Sequence, residues 1–491
     1  MDDIVIHKVD EAYIWIECQD SIARELSEFF TFEVPGAKFM PAFKRKVWDG
    51  KLRLFNTKNH QIYTGLAAKI KQFALRSDYS ITLDKELEET DELSLTEASE
   101  FISSLNLPHQ PRDYQIRGLA LAVRNSRCVL ISPTASGKSL IAYMISKWFD
   151  RRTLILVPTV SLVTQMIKDF GEYGYKGEIY GVMAGKNKYD KSAIIVSTWQ
   201  SVYEQPPEFF DNFDVVIGDE AHLFKAKSLA AIMSNMRNTK YRFGMTGTLD
   251  GAEVHELVLE GLFGPIERVA KTEELIERGN LANLDIKILV LRHPQGTPKP
   301  ETYPEEIEYL VGCESRNRFI RNLTLSLTGN TLVLYAYVEK HGMILHKMMT
   351  DKAPERIIHF VSGGTNASDR EDVRIDTEDG VDNIIVASYG TFSTGINIKN
   401  LHNIVFASPS KSKIRVLQSI GRGLRKTDTK TSCKLFDVAD DICSKNGRNC
   451  NFTLNHLADR VKMYNEEMFP YEMHVVRLKG KSNGSVLFQT I

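Results

Sequence analysis

Ten short, unbroken apolar runs set between longer helical stretches constrain this chain more than any other feature. Cys128–Ser132, Thr153–Val157, Ala193–Ser197, Val215–Gly218 and Tyr241–Met245 form one series. Thr331–Tyr337, Ile357–Val361, Ile384–Ser388, Ile404–Ser408 and Lys434–Val438 form a second. A strand that is apolar on both sides must be covered on both sides, which is the condition of a parallel sheet wrapped by helices. The two series therefore predict two α/β domains in tandem, joined near Gly279–Asp285.

The remaining segments read differently. Residues 1–82 mix short alternating runs with one helical stretch from Ser21 to Phe30, the pattern of a small α+β module. Asp84 to Glu100 holds eight acidic residues and one lysine, which reads as a solvated connector over 83–104. The α/β domains are expected at 105–283 and 284–445, with 446–491 as a C-terminal extension packed on the second and helical from Leu454 to Met468. Arg292–Glu306 carries Pro294, Pro298, Pro300 and Pro304 and reads as a loop.

Composition narrows the function. Lys and Arg number 62 against 63 Asp and Glu, a net charge of −1, so a nucleic-acid partner must be met by a local basic patch and not by a bulk field. No run approaches 18 apolar residues, which predicts no membrane span. The six cysteines form no CxxC pair, which argues against a zinc ribbon or disulfide framework and for a reducing, cytoplasmic compartment.

Ser132-Pro133-Thr134-Ala135-Ser136-Gly137-Lys138-Ser139 follows the first apolar strand and precedes the amphipathic run Leu140–Phe149. Strand, loop, helix is the setting of a phosphate-binding loop. Backbone N–H groups of Thr134, Ala135, Ser136 and Gly137 at the helix start would hold phosphates, Lys138 would reach the β/γ oxygens, and the Ser139 hydroxyl would ligate Mg²⁺. The first glycine of GxxxxGK[ST] is replaced by Ser132. Downstream, Asp219-Glu220-Ala221-His222 closes the run Val215–Gly218. Asp219 suits the Mg²⁺ shell, and Glu220 suits the orientation and deprotonation of an attacking water. An isolated acidic pair would equally serve a helix N-terminus; the loop upstream favours the nucleotide.

These segments resemble motifs I and II of the superfamily 2 helicases, and the rest of that family's set occurs in order. Arg112-Asp113-Tyr114-Gln115 resembles the adenine-reading Q motif. Pro158-Thr159 resembles motif Ia, and Ser197-Thr198-Trp199-Gln200 the Ib/Ic region that contacts nucleic-acid backbone. Thr246-Gly247-Thr248 resembles motif III, which couples hydrolysis to strand movement. Ser393-Thr394-Gly395-Ile396-Asn397 resembles motif V, with Asn397 where many members have aspartate. Gln418-Ser419-Ile420-Gly421-Arg422-Gly423-Leu424-Arg425 resembles motif VI. The resemblance implies two RecA-like domains, ATP with Mg²⁺ as cofactors, and nucleotide contacts from Arg112, Gln115, Gly395 and Asn397. It also implies strand contacts from Thr159, Thr198 and Thr394, and coupling through His222, Thr246 and Thr248, with His222 and Gln418 communicating across the domains. Arg422 and Arg425, three apart, are expected to reach the transferred phosphoryl group from one helix face.

Between Gly36 and Phe55, Lys38, Lys44, Arg45, Lys46, Lys51 and Arg53 face a single acid, Asp49, and interleave with Phe39, Phe43, Trp48 and Phe55. Cations that pair with phosphates and aromatics that stack on bases fit a nucleic-acid surface centred on Lys44, Arg45, Lys46 and Trp48. Alternation in Lys51-Leu52-Arg53-Leu54 also describes a half-exposed strand. The segment Phe43–Leu54 and the tract Ile384–Arg425 are similar to those of the recombination and fork-remodelling helicases of T-even bacteriophages. That likeness implies a phage protein of the host cytoplasm, working as a monomer beside replication and recombination proteins. Its expected partners are branched, duplex or single-stranded DNA and RNA–DNA hybrids. An RNA helicase, a duplex translocase without strand separation, and a nucleotide-gated annealing protein remain alternatives.

Overall fold

In a computed structural model of the chain, residues 2–88, 91–183, 187–297, 300–395, 398–427, 430–442, 451–478 and 488–490 are described. They fall into two compact units: Met1–Ser132 with Gly137–Ala270, and Lys271–Ile491 with Pro133–Ser136.

The first unit is built on a seven-stranded sheet, parallel throughout. Its strand order is Ile266–Arg268, Arg127–Ile131, Tyr241–Thr246, Val215–Asp219, Thr153–Val157, Ile194–Thr198, Ile179–Val182. Thr153–Val157 and Ile194–Thr198 are buried along their whole length, as unbroken apolar strands require. Burying side chains such as Leu154, Ile155 and Ile195 contributes about 1.5–3 kcal/mol each. The helix after the phosphate loop, Lys138–Phe149, is not amphipathic as its pattern predicts. Leu140 through Ser146 are all buried, so it is covered on every side.

The amino-terminal module is part of this unit. Gln61–Tyr63, Tyr13–Cys18, Ile4–Lys8 and Ile81–Leu83 form its sheet, antiparallel except for the last pair. Its core of Ile4, Ile6, Ile14, Ile16, Leu26 and Phe30 takes in Leu257 from the helix Glu253–Phe263. The approach is so close that a Cβ on Gly65 would lie 2.0 Å from the Glu260 carbonyl oxygen. The expected acidic connector is likewise anchored. Ser94 and Glu97 form a capping box for the helix Leu95–Ser104, and Leu93, Ala98 and Ile102 are buried. The acids lie on its outer side, and the apolar residues between them were enough to dock it.

The second unit carries an eight-stranded sheet in the order Ile358–Val361, Ile384–Ser388, Thr331–Tyr335, Asn403–Phe406, Ser432–Asp441, Asn283–Arg292, Tyr471–Arg477, Phe488–Thr490. All neighbours are parallel except the last pair. Three features depart from the sequence expectation. The unit begins at Lys271, so Thr272–Glu277 belongs with it, ahead of the break expected at 283. The loop expected at Arg292–Glu306 ends at Thr302, which caps a helix Tyr303–Gly312; Pro304 sits in the first turn, where its missing N–H costs nothing. The C-terminal extension does more than pack on the domain, because Tyr471–Arg477 is a strand of its sheet.

Ionic groups buried inside this unit hold the extension and the sheet together. Glu306, fully buried, accepts from Asn451 Nδ2 at 2.7 Å and from the backbone N–H groups of Phe452 and Thr453 at 2.8 and 2.7 Å. It thereby satisfies the start of the helix Phe452–Glu466. Arg460 of that helix donates to both oxygens of Asp437 at 2.8 Å, and Asp440 receives Arg316 at 2.9 Å and His293 at 3.0 Å.

Candidate functional site

The phosphate loop leaves the sheet at Ser132, whose N–H bonds the Thr246 carbonyl at 2.9 Å, and turns through two left-handed residues, Ala135 at φ 69° and Gly137 at φ 83°. A side chain at Gly137 would be strained by that angle, and its Cβ, 2.4 Å from Gln115 Nε2, would displace the glutamine amide. Gln115 is itself placed by its Oε1, which accepts from the Arg112 N–H at 2.9 Å, while the Arg112 guanidinium donates to the Tyr114 hydroxyl at 3.0 Å. The expected Q-motif residues and the glycine of the loop thus form one contact set. Lys138 and Ser139 open the helix Lys138–Phe149, and the Ser139 Oγ lies 2.9 Å from the hydroxyl of Tyr173. Burial pushes the Tyr173 phenol up to about 12. Nothing in the spacing of the sequence marks this tyrosine.

Asp219 ends the strand Val215–Asp219, and Glu220 follows in the left-handed region at φ 51°. A non-glycine residue held there carries a small conformational cost. Burial and the adjacent Glu220 raise the Asp219 carboxyl to about 6, against the pull of the Lys138 ammonium. The donor types fit a hard cation: an aliphatic hydroxyl on Ser139 and a carboxylate on Asp219. His222 is 7% exposed; its Nδ1 lies 3.0 Å from Thr246 Oγ1 and 3.4 Å from Glu220 Oε2. The Thr246 hydroxyl also lies 3.0 Å from the Thr248 carbonyl, and the His222 tautomer protonated at Nδ1 satisfies both contacts. Motifs II and III are therefore joined by a hydrogen bond.

The expected strand contacts differ in their availability. Thr159 caps the helix Val160–Glu172 and is partly exposed. Thr198 is 5% exposed and shares its hydroxyl with Ser201 at 2.8 Å, so its side chain is turned inward. In the amino-terminal module Lys44, Arg45 and Lys46 are exposed, as are Phe39 and Val47, at 70% and 76%. Trp48 is half-buried; its indole N–H donates to the Lys51 carbonyl at 2.8 Å and locks the segment, and Arg53 is paired with Asp49.

Within the second unit, the motif VI helix runs Lys413–Gly423, with Gln418 buried at 8%. Arg422 lies in its last turn, with its guanidinium 5.2 Å from the ring centroid of Phe392 in the helix Tyr389–Gly395. Arg425 lies just past the helix end, after Leu424, which keeps right-handed helical angles and bonds its N–H to the Ile420 carbonyl. Lys430, 1% exposed, donates to the carbonyls of Gly423 and Arg425 there. Burial lowers this ammonium to about 8. Thr394 and Gly395 belong to the helix Tyr389–Gly395, and Asn397 lies outside the described residues.

A parallel sheet with a phosphate loop, succeeded in the same chain by a second parallel sheet whose motif VI helix gives way to arginine, is the architecture of a superfamily 2 helicase. Three family models match: "DNA helicase UvsW, N-terminal" over residues 3–84, "Type III restriction enzyme, res subunit" over 108–251, and "Helicase conserved C-terminal domain" over 315–427. The ATP-dependent DNA helicase UvsW of phage T4 is 35% identical over 97% of this chain and 100% of its own. A crystal structure of T4 UvsW superposes with a TM-score of 0.51 at 33% identity, over the same shares of both chains. The DNA 3′–5′ translocase XPB2 of Sulfurisphaera tokodaii is 23% identical over 65% of this chain and 79% of its own. The chain belongs to the UvsW family.

No helix among the described residues is long and apolar enough to cross a membrane.

Proposed function

We propose that the protein is an ATP-driven DNA helicase that unwinds or branch-migrates branched DNA: stalled forks, four-way junctions, D-loops and R-loops. The observation that carries the reading is that Lys138, opening the helix after Arg127–Ile131, and Asp219, ending Val215–Asp219, both lie beyond the carboxyl ends of strands of one parallel sheet, where such sheets bind ligands. Lys138 and the N–H groups of Thr134 to Gly137 hold the phosphates of ATP, and Arg112 and Gln115 read its base. Ser139 and Asp219 hold Mg²⁺, which when bound neutralises charge on the phosphates. Glu220 orients and deprotonates the attacking water. Arg422 and Arg425, helped by Gln418, bring positive charge to the phosphoryl group, a contribution of about 10³–10⁵ in rate in related chemistry. Gly395 and Asn397 complete the nucleotide contacts.

Hydrolysis reaches the strand through His222, Thr246 and Thr248. Thr159, Thr394 and the backbone at Thr198 follow phosphates and sugars, so movement is independent of base sequence. Lys44, Arg45 and Lys46, exposed on a module fixed to the first sheet, bind the duplex arms beside the branch, with Trp48 holding their loop. The protein acts as a monomer in the cytoplasm of the infected host, alongside replication and recombination proteins. The test compares ATP turnover on single strands, linear duplex, a four-way junction and an R-loop, then strand separation on the best activator. The junction or the R-loop is expected to stimulate most and to be resolved. Strong stimulation by linear duplex without strand separation would make the protein a translocase instead.

A further inference from the structure

The Ser139 hydroxyl already has a protein neighbour. Tyr173 directly follows the helix Val160–Glu172 and caps it, its backbone N–H bonded to the carbonyls of Asp169 and Gly171. Its ring packs on Tyr143, 5.6 Å between centroids, one face of the helix that Ser139 opens. That packing delivers the phenol oxygen to 2.9 Å from Ser139 Oγ. The contact joins residues 34 apart in sequence and is fixed at both ends: Ser139 by the helix start, Tyr173 by its helix cap and its ring.

A serine hydroxyl has one proton and two acceptor lone pairs. To ligate a cation it must aim a lone pair at the metal and its proton elsewhere. A free hydroxyl rotates among three staggered positions, and only an acceptor on the far side selects one of them. A neutral phenol oxygen can accept that proton and still donate its own to water, and Tyr173 is partly exposed. Such outer partners of metal ligands set ligand orientation, and losing one typically costs about 10–100-fold in metal affinity or activity.

We propose that Tyr173 is a positioning residue for the nucleotide-bound cation, its hydroxyl accepting the Ser139 proton and so turning the Ser139 lone pairs toward Mg²⁺. This rests on Ser139 being a cation ligand. It assigns no catalytic role to Tyr173, which acts only through Ser139.

The experiment is equilibrium binding of a fluorescent, non-hydrolysable ATP analogue to the full chain as Mg²⁺ is titrated, with a parallel measurement in EDTA. Tyr173→Phe keeps the ring and removes one oxygen. It is expected to raise the Mg²⁺ midpoint about tenfold while leaving binding in EDTA and the thermal unfolding midpoint unchanged. Ser139→Ala should raise the midpoint as well, and the double variant should be no worse than Ser139→Ala alone, because Tyr173 would then have nothing to orient. An unchanged midpoint in Tyr173→Phe, equal weakening in EDTA, or full additivity in the double variant overturns the proposal. If Ser139→Ala itself leaves the midpoint unchanged, the ligand assignment fails, and that outcome is distinct from an effect of Ser139→Ala with none of Tyr173→Phe.

Discussion

His222 Nδ1 lies 3.0 Å from Thr246 Oγ1, and the Thr246 hydroxyl donates to the Thr248 carbonyl. These bonds connect the acidic pair to the loop after the neighbouring strand. Thr246→Val keeps the shape and breaks them at their middle. A neutral hydrogen bond contributes about 1 kcal/mol, so the number of base pairs opened per ATP is expected to fall about fivefold, with DNA-stimulated turnover altered less. Parallel ATPase and unwinding assays give the ratio; an equal fall in both would make Thr246 merely structural.

The proposed site assigns phosphate binding to Lys138 and water activation to Glu220. Lys138→Ala should abolish turnover by loosening the phosphates. Glu220→Gln keeps the left-handed turn and the size of the side chain but removes the base, with an expected loss of about 10²–10⁴ in kcat and nucleotide affinity retained. Retained turnover in Lys138→Ala would remove the site assignment.

The buried Asp440 holds two cations, Arg316 at 2.9 Å and His293 at 3.0 Å, all three essentially without solvent access. Removing the carboxylate strands both. Asp440→Ala should cost about 3–5 kcal/mol of stability, read from chemical denaturation. A cost near zero would mean that the sheet relaxes to admit water.

A cysteine adjoins the same cluster. Cys313 precedes the helix Glu314–Ser326, its Sγ 3.4 Å from Ser315 Oγ. Burial opposes its ionisation, but His293, Ser315 and the Arg316 N–H together hold it down to about 7. Burial drives Cys433 up to about 11 and Cys128 higher still. A group whose folded value is depressed is ionised above that value, so alkylation of Cys313 should rise through pH 7 and precede that of Cys128 and Cys433. His293→Gln should move the midpoint upward, as mass-mapped iodoacetamide labelling would reveal.

Much of this was legible in the sequence because the strands that bear the site are apolar on both faces. Thr153–Val157 and Ile384–Ser388 are strands over the very residues their pattern marks. Lys138 opens a helix one loop after its strand, and Asp219 and Glu220 stand at a strand end, because strand, loop and helix follow one another without insertion. What was not legible depends on partners distant in sequence. The pattern hides Asn283–Arg292 because charged Asp285 and Lys287 interrupt its apolar residues, and only the neighbouring strands show that it is central. Spacing places Arg422 and Arg425 one turn apart, but not the buried ammonium of Lys430 that bonds the Arg425 carbonyl from five residues downstream. Tyr173 is an ordinary aromatic in the sequence and becomes significant only when Tyr143 packs against it.

The proposal gives Arg425 a part in phosphoryl transfer and none in holding the nucleotide. Arg425→Ala, measured for nucleotide affinity and for DNA-stimulated kcat in the full chain, tests it most directly. The account predicts an affinity within about threefold of the parent and a kcat lower by about 10³ or more. Parental turnover, or a loss of affinity that accounts for the whole fall in rate, would contradict it.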